Sequence, residues 1–457
     1  MDETLVRENL TTRQKIVVIL TLAVPAIIEN ILQTVVGFVD TLFVSKLGLN
    51  EVTAVGAANA ILAVYIAIFM ALGVGASSII ARNIGAGDFE KAKLIARQSS
   101  ILSGIFGILF GIITFFFSEP LLRLMGAESK VLADGITYFR IVAIPSIFIS
   151  LMFIFGSILR ASGDTKTPMK VSWWINLIHI GLDYVLIFGV FHFKGLGVVG
   201  AAWATVVVRV IGTFVLYSSI KKSKVSFSLF KGLTKEGMSS ILKISTPTAI
   251  ERLIMRLGQV LYFGLIVKIG ADTYAAHSIA GNIETFSYMP GYGLAIAATT
   301  LVGQYVGAKK MKEAYHYGMM TTVIAILFMF LIGIFFFFLS PWFASWFTTD
   351  ERAINMVVTA LRIDAFAQPA LAIGLVLAGA LQGSGDTKSP MYSTAIGMWV
   401  IRVLGVYFLG IQLEMGIAGV WLSIAIDLYI RALFLFWRYK AHLRDKDLFL
   451  IKNDDMC

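Results

Sequence analysis

The sequence is poor in the residues on which most soluble chemistry is built. It has a single cysteine, Cys457, which excludes an intramolecular disulfide and any cysteine metal cluster. Its five histidines (His179, His192, His277, His316 and His442) lack the paired spacing of a zinc site. Charged residues make up only 14% of the chain, well below their share in an ordinary soluble domain. No HExxH, GxSxG or Walker-type loop occurs, so hydrolysis and ATP binding have no motif to stand on, and no enzyme is expected. No cleavable signal is visible either. The opening "MDETLVRENLTTRQK" mixes acids with bases, and the apolar segment after it is too long for a signal-peptide core, so the first span is expected to direct its own insertion.

What is abundant is apolar. Hydrophobic residues make up 58% of the 457 positions, and the mean hydropathy is +0.82. Twelve apolar runs recur, near 15–46, 52–81, 99–124, 131–158, 169–191, 196–220, 240–268, 274–304, 314–340, 352–381, 391–411 and 416–438. Each is long enough to cross a hydrocarbon core of about 30 Å as a helix. The expected fold is an all-α polytopic membrane protein of twelve transmembrane helices.

The net charge of +10 raises the question of nucleic acid, but its distribution answers otherwise. Basic residues gather in alternate loops: Arg82, Lys91, Lys93 and Arg97; Arg160, Lys166 and Lys170; Lys221 through Lys243; Lys309, Lys310 and Lys312; Arg438 through Lys446. By the positive-inside rule both termini are expected in the cytoplasm, the localisation being the inner membrane. The basic loops then attract membrane lipid, and no nucleic acid is expected as a partner.

The chain repeats itself. "LRASGDTKTPM" (159–169) and "LQGSGDTKSPM" (381–391) lie 222 positions apart, and the same offset maps Pro25 onto Pro247, Glu29 onto Glu251, Gly85 onto Gly307 and Arg140 onto Arg362. Two six-helix lobes are expected, 1–220 and 244–457, joined by a basic linker at 221–243. An even number of spans per lobe relates them by a pseudo-two-fold axis along the membrane normal, a plan typical of secondary transporters. A duplicated structural protein is the alternative, and it leaves the buried charges unexplained. In the SGDTKTP and SGDTKSP loops, Asp164 and Asp386 followed by Pro168 and Pro390 read as helix starts.

An ionisable group at the centre of a span costs roughly 2.5–3.5 kcal/mol on insertion scales, so each needs a partner, a wet cavity or a function. In the first span Glu29, Gln33, Gly37 and Asp40 form a stripe at helical spacing, and in the fifth Asn176, His179 and Asp183 form another. If the stripes face each other, they line an acidic chamber in the first lobe. The repeat replaces Asp40 with Tyr262, so packing alone does not demand an acid there. The second lobe holds Glu251, Arg252, Arg256, Glu284, Arg362, Asp364, Arg402, Asp427 and Arg431, expected as mutually paired charges. Pro25 removes a helical hydrogen bond about four turns before Asp40 and offers a hinge.

These features resemble the multidrug and toxic compound extrusion (MATE) transporters, most closely the DinF branch: the two six-helix lobes, the paired SGDTK loops, the first span "VPAIIENILQTVVGFVDTLFVSKLG" and "LDYVLIFG" at 182–189. The resemblance implies cation-coupled export of amphipathic organic cations by alternating access, without a cofactor, by a monomer. It places the coupling proton, or Na+, at Asp40 and Asp183, helped by Asn176 and Thr205. His179 departs from the family pattern, which commonly has asparagine there. A Na+-coupled exporter and a flippase for lipid-linked precursors are the alternatives within the same architecture.

Overall fold

The computed structural model describes residues 5–6, 10–190, 193–228 and 235–454. His192, Lys231, Cys457 and part of the expected linker lie outside the described residues. Helices α1 (Thr12–Ser45), α2 (Leu49–Gly85) and α3 (Phe89–Leu124) are the first three spans. The fourth is a bent pair, α4 (Ser129–Ala143) and α5 (Ser146–Ala161), with 49° between their axes. Pro145 at the break cannot donate a helical hydrogen bond, so the chain turns there. Helices α6 (Lys166–Phe188) and α7 (Val198–Lys221) complete the first half.

In the second half α8 (Lys235–Ile269) is followed by a broken span, α9 (Ala271–Thr285) and α10 (Tyr288–Gly307). Pro290 explains the break, because its ring conflicts with the carbonyl of residue 286, four positions back. Helices α11 (Met311–Ser345), α12 (Glu351–Ser384), α13 (Lys388–Gln412) and α14 (Gly416–Asp454) follow. Two π-helical stretches, Ile396–Arg402 and Val406–Gln412, interrupt α13. Among the described residues, nine helices and the α4–α5 pair are long and apolar enough to cross a membrane. α8 and the α9–α10 pair carry ionic side chains instead, and with them every one of the twelve expected spans has a helical counterpart. Large side chains such as Phe116 (67% exposed) and Phe338 (70%) face outward, as they do where lipid is the solvent.

By internal packing the chain divides into two compact units. One joins Ile28–Ile80 to Asp88–Ala249; the other joins the chain through Ile27, Ala81–Gly87 and the chain from Ile250 onward. The sequence boundaries at 220 and 244 describe the repeat, whereas the compact units are cut after Ile27 and after Ala249. Both cuts fall two residues beyond the repeat-related Pro25 and Pro247, each inside a continuous helix. The first unit has a core around Tyr65, Phe69, Phe139 and Val142, and the second around Leu301, Tyr305, Tyr317 and Leu377.

The SGDTK loops form helix starts as their sequence implies. Gly163 and Gly385 take φ of 91° and 96°, the left-handed position that ends a helix and suits glycine. Asp164 then accepts from the Thr167 amide at 2.9 Å and Asp386 from the Ser389 amide at 3.0 Å. Asp386 also pairs with Arg438 at 3.0 Å and approaches His442 at 3.7 Å, tying α14 to the start of α13. Burial acts to raise the Asp386 pKa, but the Ser389 hydroxyl and amide, His442 and Arg438 together hold it below the ordinary carboxylate value. A depressed folded-state value stabilises the fold above the normal carboxylate range, and the stabilisation is lost as pH falls through the lowered value. Asp386→Asn is therefore expected to lower Tm at neutral pH, with the difference from wild type closing below about pH 4, as read by thermal unfolding in detergent.

Within the second unit, Gly85 at the end of α2 and Gly307 at the end of α10 pack each helix against the other's backbone. A Cβ on Gly307 would lie 1.9 Å from the Arg82 carbonyl oxygen, and one on Gly85 would lie 1.8 Å from that of Gln304. Gly307→Ala should destabilise the protein by about 1–3 kcal/mol through overpacking, seen as a lower Tm with less monodisperse protein after extraction.

Candidate cation-coupling site

Three elements of the first unit bring the site together. Asp40 comes from α1, His179 and Asp183 from successive turns of α6, and Thr205 from α7. His179 Nε2 lies 3.5 Å from Asp183 Oδ2, 3.9 Å from Asp40 Oδ1 and 3.3 Å from Thr205 Oγ1. One candidate ligand atom from each of Asp40, His179 and Asp183 falls within 4.8 Å of the others. Of the two stripes read from the sequence, the Asp40 end of the first meets His179 and Asp183 of the second.

The two acids differ in access. Asp183 is 1% exposed, whereas the Asp40 side chain is 33% exposed. Asp40 Oδ1 and both Asp183 carboxylate oxygens are buried without a hydrogen-bond donor among the described residues. A carboxylate oxygen of each acid lies within 4.8 Å of one from the other. Two carboxylates and an imidazole at this spacing, short of donors, form a set that takes up positive charge. A proton satisfies it, and so does one small hard cation, for which carboxylate and hydroxyl oxygens are the natural donors.

Other expected residues sort by position. Gln33 and Gly37 lie exposed on the same side of α1, with open space where a Gly37 Cβ would be. Asn176 donates to Ser172 at 3.4 Å, one turn from His179, and extends the α6 stripe. Thr205 returns a hydrogen bond to the Ala201 carbonyl at 3.0 Å, which fixes its hydroxyl toward the imidazole. Two groups were missed from sequence. Tyr138 on α4 is 5% exposed and lies near Thr205, and Arg209 on α7 lies within electrostatic reach of Asp40 and Tyr138. Arg209 follows Thr205 by one helical turn, the signal that could have found it.

Glu29 requires a correction. It was expected to line the chamber with Asp40, yet it is 8% exposed and held by Arg160 Nη1 at 3.0 and 3.1 Å. A carboxylate so paired is neutralised where it stands. The repeat reproduces the contact: Glu251 accepts from Gln382 at 3.5 Å and from Thr394 at 3.0 Å, and Gln382 stands 222 positions after Arg160.

The second unit's charges are paired in part. Asp427 bridges Arg431 at 2.5 Å and Arg402 at 2.8 Å. Asp364, by contrast, accepts from Gln368 at 2.6 Å, while Arg362 lies at the surface over the Phe337 ring. Residues two apart point to opposite sides of a helix, so Arg362 cannot reach Asp364.

The family model for MatE matches this chain twice, over residues 25–185 and 247–408. This chain belongs to the MatE family. The two matched copies begin at Pro25 and Pro247, the offset seen in the sequence. A Thermotoga maritima protein described as a probable multidrug resistance protein, NorM, is 32% identical over 415 residues, covering 90% of this chain and 89% of that one. An outward-facing multidrug resistance MATE transporter of the MOP superfamily superposes with a TM-score of 0.89 at 26% identity, covering 94% of this chain and 96% of the other. A Pyrococcus furiosus MOP-superfamily transporter, described as having a binding pocket of reversed polarity, gives 0.88 at 27% identity over the same shares. The chain is thus a multi-pass membrane protein of a multidrug efflux transporter family, with the twelve-helix fold of that family.

Removing one partner of a buried ion pair leaves the other uncompensated, at a cost of about 3–5 kcal/mol. Glu29→Gln should therefore lower Tm sharply by stranding Arg160. Arg160→Gln should be milder, since it recreates the glutamine that faces Glu251. Thermal unfolding of the two variants side by side checks the order.

Proposed function

We propose that this MATE protein is a secondary antiporter that exports amphipathic organic cations in exchange for protons, with Asp40 and Asp183 carrying the coupling charge. The observation that carries this reading is the convergence of Asp40, His179 and Asp183 within 4.8 Å, one acid buried and the other partly open. When Asp40 is ionised it attracts a positively charged guest, with Gln33 and Gly37 on the same open side of α1. When the cluster takes up a proton, that attraction is withdrawn and the guest leaves. His179 and Thr205 position the acids, and Asn176 continues the polar stripe.

Pro25 lies near the junction of the two compact units, which favours it as the hinge of α1. Exchange of one proton for one monovalent cation moves no net charge, so the pH gradient alone drives it, at about 1.36 kcal/mol per unit. Export of a neutral compound would add the membrane potential, worth about 2.3 kcal/mol per charge per 100 mV.

The same oxygen set supports Na+ as the coupling ion, a second reading that the carboxylates and Thr205 hydroxyl favour. A flippase for lipid-linked pyrophosphates would call for a cationic cavity, against the acidic cluster. The lysine and arginine distribution supports an inner-membrane location with both termini in the cytoplasm, and the sequence pattern of the first span supports the DinF branch. The transporter is taken to act as a monomer.

Asp40→Asn should abolish proton-driven efflux of a fluorescent organic cation from proteoliposomes while leaving the protein folded. Wild-type efflux should follow an imposed pH gradient and not an imposed Na+ gradient. Undiminished efflux in Asp40→Asn would remove Asp40 from coupling, and efflux driven by Na+ alone would transfer the site to that ion.

A further inference from the structure

The first unit has a second charged hollow, away from the acid cluster. A cavity of about 860 Å³ is lined by Glu90, Lys91, Lys93, Leu94 and Arg97 of α3, Lys221 of α7, and Ser226, Phe227 and Ser228 of the segment that follows. On α3, Glu90, Lys93, Leu94 and Arg97 occupy one face at i, i+3, i+4 and i+7. The other wall is made by the segment after α7 folding back on that helix. Val225 (0% exposed) and Phe227 (9%) turn inward, and Phe227 meets the Tyr217 ring at 6.2 Å. Tyr217 in turn stacks on Phe155 and lies 5.0 Å from the Lys221 ammonium. One aromatic, Phe227, packed on Tyr217, thus joins the long side chains that line the concavity.

Its charge is one-sided. Four cations line it against one acid, and that acid, Glu90, is engaged by Lys93 at 2.8 Å. Topological bias alone places lysines at this end of the spans, but it does not require them to line a cavity whose wall is closed by the inward-packed Phe227. A separate, smaller groove of about 320 Å³ lies on α7, lined by Phe214, Val215, Ser218, Ser219 and Lys222. Phe214 and Val215 are 61% and 43% exposed within the span, and the groove passes from them to Lys222, next in the chain to Lys221. A cationic basin and an apolar track on α7 are thus lined by consecutive residues, Lys221 and Lys222.

We propose that the basin between α3 and α7 binds the phosphodiester headgroup of an anionic phospholipid, one of whose acyl chains follows the α7 groove. The assignment rests on the reading that these loops face the cytoplasmic leaflet. A free phosphate would use the same cations but gain nothing from the apolar track, which selects the lipid.

The test is lipid retention by the full-length protein, measured by native mass spectrometry with phosphatidylglycerol against phosphatidylcholine. A direct hydrogen bond from each lysine to the phosphodiester is worth about 1 kcal/mol net, or roughly fivefold, so Lys91→Gln with Lys221→Gln should weaken phosphatidylglycerol retention about 25-fold. Lys91→Arg with Lys221→Arg should keep it. The matched removal of two charges elsewhere, Lys309→Gln with Lys312→Gln, should leave it within about twofold. Equal losses in both glutamine variants would reduce the effect to diffuse attraction and overturn the site. Displacement of phosphatidylglycerol by millimolar inorganic phosphate would assign the basin to a soluble anion and overturn the lipid. The assay does not involve transport, so its failure and that of the Asp40 mechanism are independent.

Discussion

A carboxylate placed in an apolar span must find a partner. Hydrocarbon offers neither water nor counter-ions, so an acid there needs a fixed cation, neutral hydrogen-bond donors or a place where a mobile cation can reach it. Two acids a few turns apart on α1 differ in which of these they have. Glu29 meets the fixed guanidinium of Arg160, whereas Asp40 has an imidazole at 3.9 Å, a second acid beside it and Arg209 within electrostatic reach, but no arginine or lysine in an ion pair with it among the described residues. The first arrangement is closed. The second leaves carboxylate oxygens without a hydrogen-bond donor among the described residues, and on the proposed mechanism a mobile cation fills that deficit.

Duplication exposes which of these is scaffold. The Glu29–Arg160 contact recurs as Glu251–Gln382, with the cation replaced by an amide and a threonine added. A polar contact at this place is therefore part of the repeated architecture, whatever its charge. Asp40, replaced by Tyr262 in the other half, belongs to one half alone. Gly85 and Gly307 show the same logic in packing, because each repeat copy supplies the bare backbone against which the other helix lies. A side chain at either place has nowhere to go but into a carbonyl.

Continuous helices connect the compact units, and this changes the meaning of the prolines. A proline inside a helix leaves one carbonyl without its amide, which lowers the cost of bending at that turn. Pro25 and Pro247 stand within a turn of the points where packing passes from one unit to the other. The repeated sequence thus weakens its helices at the places where the fold changes allegiance.

Much of this was legible beforehand. Apolar length fixed the spans, because crossing a membrane demands about twenty residues; helical spacing placed His179 with Asp183; and the SGDTK loops declared their caps through Asp164 and Asp386. Span breaks at Pro145 and Pro290 were less visible, since proline tells where a bond is missing but not which way the chain then turns. Arg209 was marked only by its place one turn after Thr205, and Tyr138 and the capture of Glu29 by Arg160 were not legible, for both depend on which helix stands beside which. One-dimensional order determined the spans, the duplication and the acids that the bilayer makes expensive. Only tertiary packing decided which of those acids is neutralised by a neighbouring helix and which is left short of charge, because compensation acts over a few ångströms in space and takes no account of distance along the chain.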